Sequence, residues 1–202
     1  MPNNSSSNNK DSWLGKSKRK GRELNVDRKV IKKKDKEAFM QAYDMYLNDI
    51  YRFVFFKVKR AEDAQDITAG VFLKAWNKVR ENKLEDKKTL KALLYTIARN
   101  AVIDHYRNAV NASTVNMGDQ DNKFDIPDIG RNMAEQAEIN SDMEIVLEKM
   151  KELKDEYREI LILRYINELS FKEISAITGK SKNNVRVISH RALKALRELM
   201  EG

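Results

Sequence analysis

Apolar residues recur at intervals of three and four along most of this chain, and neither half shows sustained apolar–polar alternation. That spacing gathers side chains on one face of an α-helix, whereas strands need a period of two. Two prolines and seven glycines in 202 residues leave little to break helices. The pattern predicts a helix from Glu37 to about Arg60, with Phe39, Tyr43, Tyr46, Ile50, Phe53 and Val54 inward. A second runs from Glu62 to about Arg80 and buries Ala64, Ile67, Val71, Phe72, Ala75, Trp76 and Val79. A third, Lys88 to Arg107, uses Leu90, Leu94, Ile97, Ala98 and Ala101. Further on, Met133 to about Leu153 and Asp155 to about Ile166 read as helices, and two short ones close the chain. The expected fold class is all-α.

Charge divides the chain further. Residues 1–36 hold 12 Lys+Arg and 4 Asp+Glu, which accounts for the whole net charge of +8. This stretch is rich in Asn, Ser and Lys, with too little apolar area to offset the entropy of ordering it. A disordered basic tail is expected, either simply solvated or loosely gripping nucleic acid. Residues 109–143 hold 2 basic and 7 acidic groups among turn-formers such as Asn111, Gly118, Pro127 and Gly130. They predict a flexible acidic linker over 109–132. Two small helical domains, 37–108 and 133–202, would flank it.

Several function classes are excluded. The chain has no cysteine, so it holds no disulfide scaffold, no thiol nucleophile and no Cys-ligated zinc. Its two histidines, His105 and His190, do not make a His-rich metal centre. No apolar run approaches the ~18 residues of a membrane span, so a soluble, cytoplasmic chain is expected. No Gly-rich phosphate loop precedes a helix.

The strongest local pattern is Leu169–Leu196, LSFKEISAITGKSKNNVRVISHRALKAL. Ser170 and Glu173 have capping-box spacing, and Ile174 and Ile177 form an apolar side. Gly179 sits where a left-handed residue ends a helix, and Ser181 can cap the next one. Val185, Ile188, Ala192 and Leu196 stack on one face of that second helix. This is helix-turn-helix grammar. The opposite face presents Asn183, Val187, His190, Arg191 and Lys194, with Arg186 at its edge. Residues 171–197 hold 7 basic groups and one acidic group. Asn and Arg can contact bases bidentately, Val187 can touch a thymine methyl, and Lys182 and Lys194 suit phosphates.

Two other faces stand out. On the helix 62–80, Leu73 points away from the apolar side, together with Asp66, Ala69 and Gly70. An apolar residue beside a small-residue strip suits close protein docking. On the helix 88–107, Thr96, Arg99, Asn100, Asp104 and Arg107 gather on one side near Tyr95 and Tyr106. Such a mixture suits single-stranded nucleic acid.

Together these features resemble the extracytoplasmic-function (ECF) group of bacterial RNA polymerase sigma factors, over about residues 37–107 and 133–199. AEDAQDITAGVFLKAW (61–76) is similar to the region 2.2 helix that docks on the polymerase β′ clamp. LLYTIARNAVIDHYR (93–107) resembles regions 2.3–2.4, which open and read the −10 element. LKDEYREILILRYINELSFKEISAITGKSKNNVRVISHRAL (153–193) resembles region 4, which reads the −35 element and touches the β flap. The chain departs from the family at Ala69-Gly70, where Gln-Glu is usual, and at Leu93, where Trp is common. Lys154 replaces a usual Pro, and Thr178 and Lys180 replace apolar residues.

The resemblance implies a protein that binds core polymerase and directs promoter-specific initiation, with no cofactor and no catalysis of its own. Asp66, Ala69, Gly70 and Leu73 would dock on core polymerase. Tyr95, Arg99, Asn100, Asp104 and Arg107 would meet the −10 non-template strand, and the 182–194 face the −35 element. Core polymerase and promoter DNA are the implied partners, and an anti-sigma protein is a further candidate. The residues alone also allow a dimeric helix-turn-helix regulator with a helical sensor domain. A tyrosine recombinase using Tyr106 or Tyr165 is the remaining alternative.

Overall fold

A computed structural model describes residues 21–58, 60–82, 89–113 and 141–201. Among these the architecture is all-helical. Helix α1 covers residues 21–33, followed by α2 (Lys36–Phe55), α3 (Ala61–Arg80) and α4 (Leu90–Ser113). After the break come α5 (Ser141–Glu152), α6 (Asp155–Leu161) with a π-helical turn (Ile162–Ile166), α7 (Phe171–Thr178) and α8 (Lys182–Glu201). No helix among the described residues is long and apolar enough to cross a membrane.

The faces predicted for α2 and α3 meet. Phe39, Tyr46, Ile50, Phe53 and Val54 are buried against Val71, Phe72, Ala75 and Val79. Aromatic rings interlock at the seam: Phe39 lies 4.9 Å from Trp76 between centroids, and Tyr43 lies 4.7 Å from Phe72, edge to face. Each such ring removed from water contributes about 2–3 kcal/mol. The Asp35 side chain caps α2 by accepting from the Ala38 N–H at 2.9 Å.

The expected disordered tail over 1–36 needs correction. Residues 21–33 are helical, and Val26 and Val30 are buried in the core, 5% and 0% exposed. Two apolar residues four apart seat this helix, while its many cations stay outside. Residues 1–20 lie outside the described part. Helix α4 also continues through Ser113, five residues into the expected linker. The rest of that linker, and residues 133–140 of the expected second domain, are likewise outside the described residues.

In the C-terminal half, α8 is packed by α5, α6 and α7. The predicted helix 155–166 forms as an α-helix that widens into a π turn, where the Asn167 N–H reaches the Ile162 carbonyl at 2.9 Å. The two halves also touch, with α7 packed on α4 and the π turn against α2. The spacing of apolar residues within each half carries no sign of this contact.

Candidate nucleic-acid and polymerase interface

The helix-turn-helix forms as its sequence requires. Ser170 accepts from the Glu173 N–H at 3.3 Å, while Glu173 accepts from the Ser170 N–H at 2.8 Å. These reciprocal bonds satisfy donors that the first turn of a helix leaves open. Hydrogen bonds from Ser170 and the Lys91 cation hold the Glu173 carboxyl below its ordinary pKa, against its burial. Gly179 ends α7 at φ 73°, a left-handed conformation that a Cβ disfavours. The Thr178 hydroxyl bonds back to the Ile174 carbonyl at 2.8 Å, and that of Ser175 reaches the Lys180 carbonyl at 2.6 Å. Polar Thr178 thus serves the turn where the family usually has an apolar residue. Ser181 then accepts from the Asn184 N–H at 3.2 Å to start α8.

Val185, Ile188 and Ala192 anchor α8 in the core. Lys182, Asn183, Arg186, Val187, His190, Arg191 and Lys194 are all exposed on its other side. The structure therefore brings every residue predicted for the recognition face onto one open surface. The Arg186 guanidinium lies 5.7 Å from the Phe171 ring, whose other neighbour is Arg164 at 4.8 Å. This stacking steadies Arg186, and the sequence reading did not single out Phe171. Lys194 has a long 3.6 Å contact with Glu198, both solvent-exposed.

The α3 face is also open. Leu73 is 64% exposed, with Asp66 and Ala69 exposed beside it and Gly70 half-buried. A Cβ added at Gly70 would meet nothing within 4 Å, so the fold itself does not require glycine there.

The α4 set is divided. Asn100 is exposed, and Asp104 and Arg107 form an exposed ion pair at 3.2 Å. Tyr95 does not join them, contrary to expectation. It is fully buried, edge to face with Phe53 at 5.4 Å, and burial pushes its phenol far above the ordinary pKa. A ring enclosed on all sides cannot stack on a base in this conformation. Leu93, where the family commonly has Trp, is also buried. Arg99 is half-buried, with its Nε donating to both oxygens of Glu159 at 3.0 Å. Tyr106 donates its hydroxyl to the Lys57 carbonyl at 2.6 Å, and burial pushes its pKa up to about 12. A phenol so held is a poor nucleophile.

Comparison with known proteins decides what this assembly of faces belongs to. The family model "Sigma-70 region 2" matches residues 42–111, and "Sigma-70, region 4" matches residues 143–196. SigM of Bacillus subtilis, an ECF RNA polymerase sigma factor, is 33% identical over 159 residues, covering 79% of this chain and 93% of its own. The chain belongs to the ECF group of RNA polymerase sigma factors. BldN of Streptomyces coelicolor, another ECF sigma factor, is 26% identical over 81% of this chain, which spans 61% of BldN's length. Solved structures show the same fold. CnrH, in complex with the cytosolic domain of CnrY, aligns with a TM-score of 0.64 at 18% identity, over 89% of this chain and 97% of its own. RpoE of Bartonella quintana, in complex with the anti-sigma factor NepR, gives 0.64 at 24% identity, over 81% and 96%. As an ECF sigma factor, this chain works with RNA polymerase in transcription initiation. Helices α2 to α4 fall within region 2, and α5 to α8 within region 4, apart from terminal residues of α2, α4, α5 and α8.

Proposed function

We propose that this ECF sigma factor divides its work among the three faces. Lys182, Asn183, Arg186, Val187, His190, Arg191 and Lys194 on α8 read the −35 element in the major groove, and Asn100, Asp104, Arg107 and a released Arg99 meet the −10 non-template strand. Asp66, Ala69, Gly70 and Leu73 dock on the β′ clamp, and region 4 touches the β flap. The observation that carries this reading is the α8 surface, where all seven residues stand exposed behind a turn fixed by Ser170, Glu173 and Gly179. A rigid, one-signed helix face delivered by a capped turn is what major-groove reading requires.

The chemistry of RNA synthesis belongs to the polymerase, so the sigma factor supplies positioning and no catalysis. Its place of action is the cytoplasm, with the polymerase. RpoE was solved in complex with the anti-sigma factor NepR, and CnrH in complex with the cytosolic domain of CnrY. By analogy, an anti-sigma protein is a partner here as well.

Run-off transcription with purified core polymerase on fragmented genomic DNA tests the reading. Promoter-specific transcripts that depend on the added chain support it. Their absence on every fragment would overturn it. A dimeric regulator would instead run as a dimer in gel filtration and bind paired half-sites without polymerase.

A further inference from the structure

Helix α1 keeps its acids and its cations on different sides. Val26, Val30 and Asp27 are buried, and Glu23 and Ile31 are half-buried beside them. Arg22, Arg28, Lys29, Lys32 and Lys33 are all exposed on the other side, which carries no carboxylate of its own. Helical spacing sets them in two rows, Arg22, Lys29 and Lys33 in one, Arg28 and Lys32 in the other. Among the described residues none of the five has an ion pair. Asp44 of α2 lines the same groove as Arg22 and Lys29 without pairing with either. Cations on other helices do have a carboxylate one turn away, as Arg107 has Asp104 at 3.2 Å and Lys149 has Glu152 at 3.1 Å.

Like charges at i and i+4, as at Arg28 and Lys32 or Lys29 and Lys33, repel and disfavour a helix. Burial of Val26 and Val30 and the hydrogen bonds of Asp27 hold this one folded against that repulsion. The result is a rigid, one-signed face about 18 Å long at ~1.5 Å per residue. Such a face attracts a polyanion, and a nucleic-acid strand offers one negative charge per ~3.4 Å of duplex. An anionic membrane fits less well, because Leu24 at the edge of the face does not make the apolar stripe that a lipid surface needs.

Asp27 also fixes where the face lies. Its Oδ2 accepts the Leu90 N–H at 3.1 Å, in the first turn of α4. Asn100 and Arg107 follow on the same helix, about 15 and 25 Å along its axis at ~1.5 Å per residue. At ~3.4 Å per base pair, those distances span about 4–8 base pairs.

We propose that the cationic face of α1 is a second DNA-binding surface of region 2, gripping the phosphodiester backbone about 4–8 base pairs from the −10 contacts. Its placement rests on the assignment of the α4 face to the −10 element, whereas the grip on phosphate does not.

The full chain is assembled with core polymerase, and promoter binding is titrated over a range of salt. Lys29→Gln, Lys32→Gln and Lys33→Gln combined should flatten the slope of log K against log salt by about 2–3, at ~0.7–0.9 per phosphate contact. Promoter affinity at physiological salt should fall about tenfold. The combined Lys→Arg replacements at the same three positions should keep the wild-type slope. The glutamine chain should melt no lower than wild type, because repulsion is relieved. An unchanged slope, or an equal loss in the arginine chain, overturns the grip. An unchanged slope with weaker binding to core polymerase, or to phosphatidylglycerol vesicles, assigns the face to protein or lipid and overturns it too. Neutral methylphosphonates 4–8 nucleotides to either side of the −10 element, about the span derived above, should abolish the difference between wild type and the glutamine chain. A difference that survives both blocks overturns the placement. Failure of the sigma-factor reading is distinct, because it removes the run-off transcript made by the wild type with core polymerase. Failure of the grip leaves that transcript intact.

Discussion

The Tyr46 hydroxyl donates a hydrogen bond to Oδ1 of Asp27 at 3.2 Å, at a site where both residues are buried. Oδ2 of the same carboxylate accepts the Leu90 N–H at 3.1 Å. One acidic side chain on α1 thereby ties α2 to the first turn of α4, where an open backbone donor needs a partner. Burial outweighs both hydrogen bonds and raises the Asp27 pKa to about 6, from 3.8.

That shift sets a pH dependence. A carboxyl with a raised folded pKa binds its proton more tightly in the native state. Its contribution is therefore greatest below pH ~4 and is lost as pH rises to about 6. Two units correspond to roughly 2–3 kcal/mol. Urea unfolding of Asp27→Asn and wild type at pH 4 and pH 7 isolates this group from the other acids. The difference should move in favour of the variant by about 2 kcal/mol at the higher pH. A difference independent of pH would mean that Asp27 ionises in place without penalty.

Truncation separates two parts of the basic segment. Removing residues 1–20 should weaken nonspecific DNA binding, with a shallower salt dependence, and leave the melting temperature nearly unchanged. Removing 1–36 also strips Val26, Val30 and Asp27 from the core. Losing two buried valines alone should destabilise region 2 by about 3 kcal/mol or more. Equal melting temperatures for the two truncations would show that α1 does not support the fold.

Gly70→Ala should stabilise the free protein by up to ~1 kcal/mol, because Ala favours helix and its Cβ meets open space. The same methyl should weaken binding to core polymerase if a partner approaches this strip closely. Thermal unfolding and core-binding titration test the two signs independently. Unchanged core binding would remove Gly70 from the docking face.

Arg191→Ala should lower promoter binding by about 1–3 kcal/mol while leaving core binding intact. Leu73→Asp should do the reverse, because it places a charge in an apolar contact 64% open in the free chain. Fluorescence anisotropy with promoter duplex and with core polymerase measures both. Loss of core binding in both variants would abolish the proposed division.

Much of this was legible in the residues. The buried stripes of α2 and α3, the Ser170–Glu173 box, the left-handed Gly179 and the open face of α8 are local consequences of helical geometry. Residues three and four apart must share a face whatever surrounds them. Helix α1 was harder to see, because its lysines dominate the composition and only the i,i+4 pair Val26 and Val30 marks its buried side. Tyr95 misled because α4 is covered on both sides, by α2 and α3 and by region 4. A face that spacing alone would leave to solvent is closed by the other half of the chain.

Sequence by itself determined the helices after α1, the helix-turn-helix and the family, since these depend on spacing, capping and short motifs that are read within a few turns. Only the tertiary structure decided that Glu159 meets Arg99 and Lys57 across the two halves. Nothing local distinguishes a carboxylate that will be buried between two distant cations from one that will stay in water. Burial and long-range pairing are properties of the assembled surface, and that surface exists only once the helices have packed.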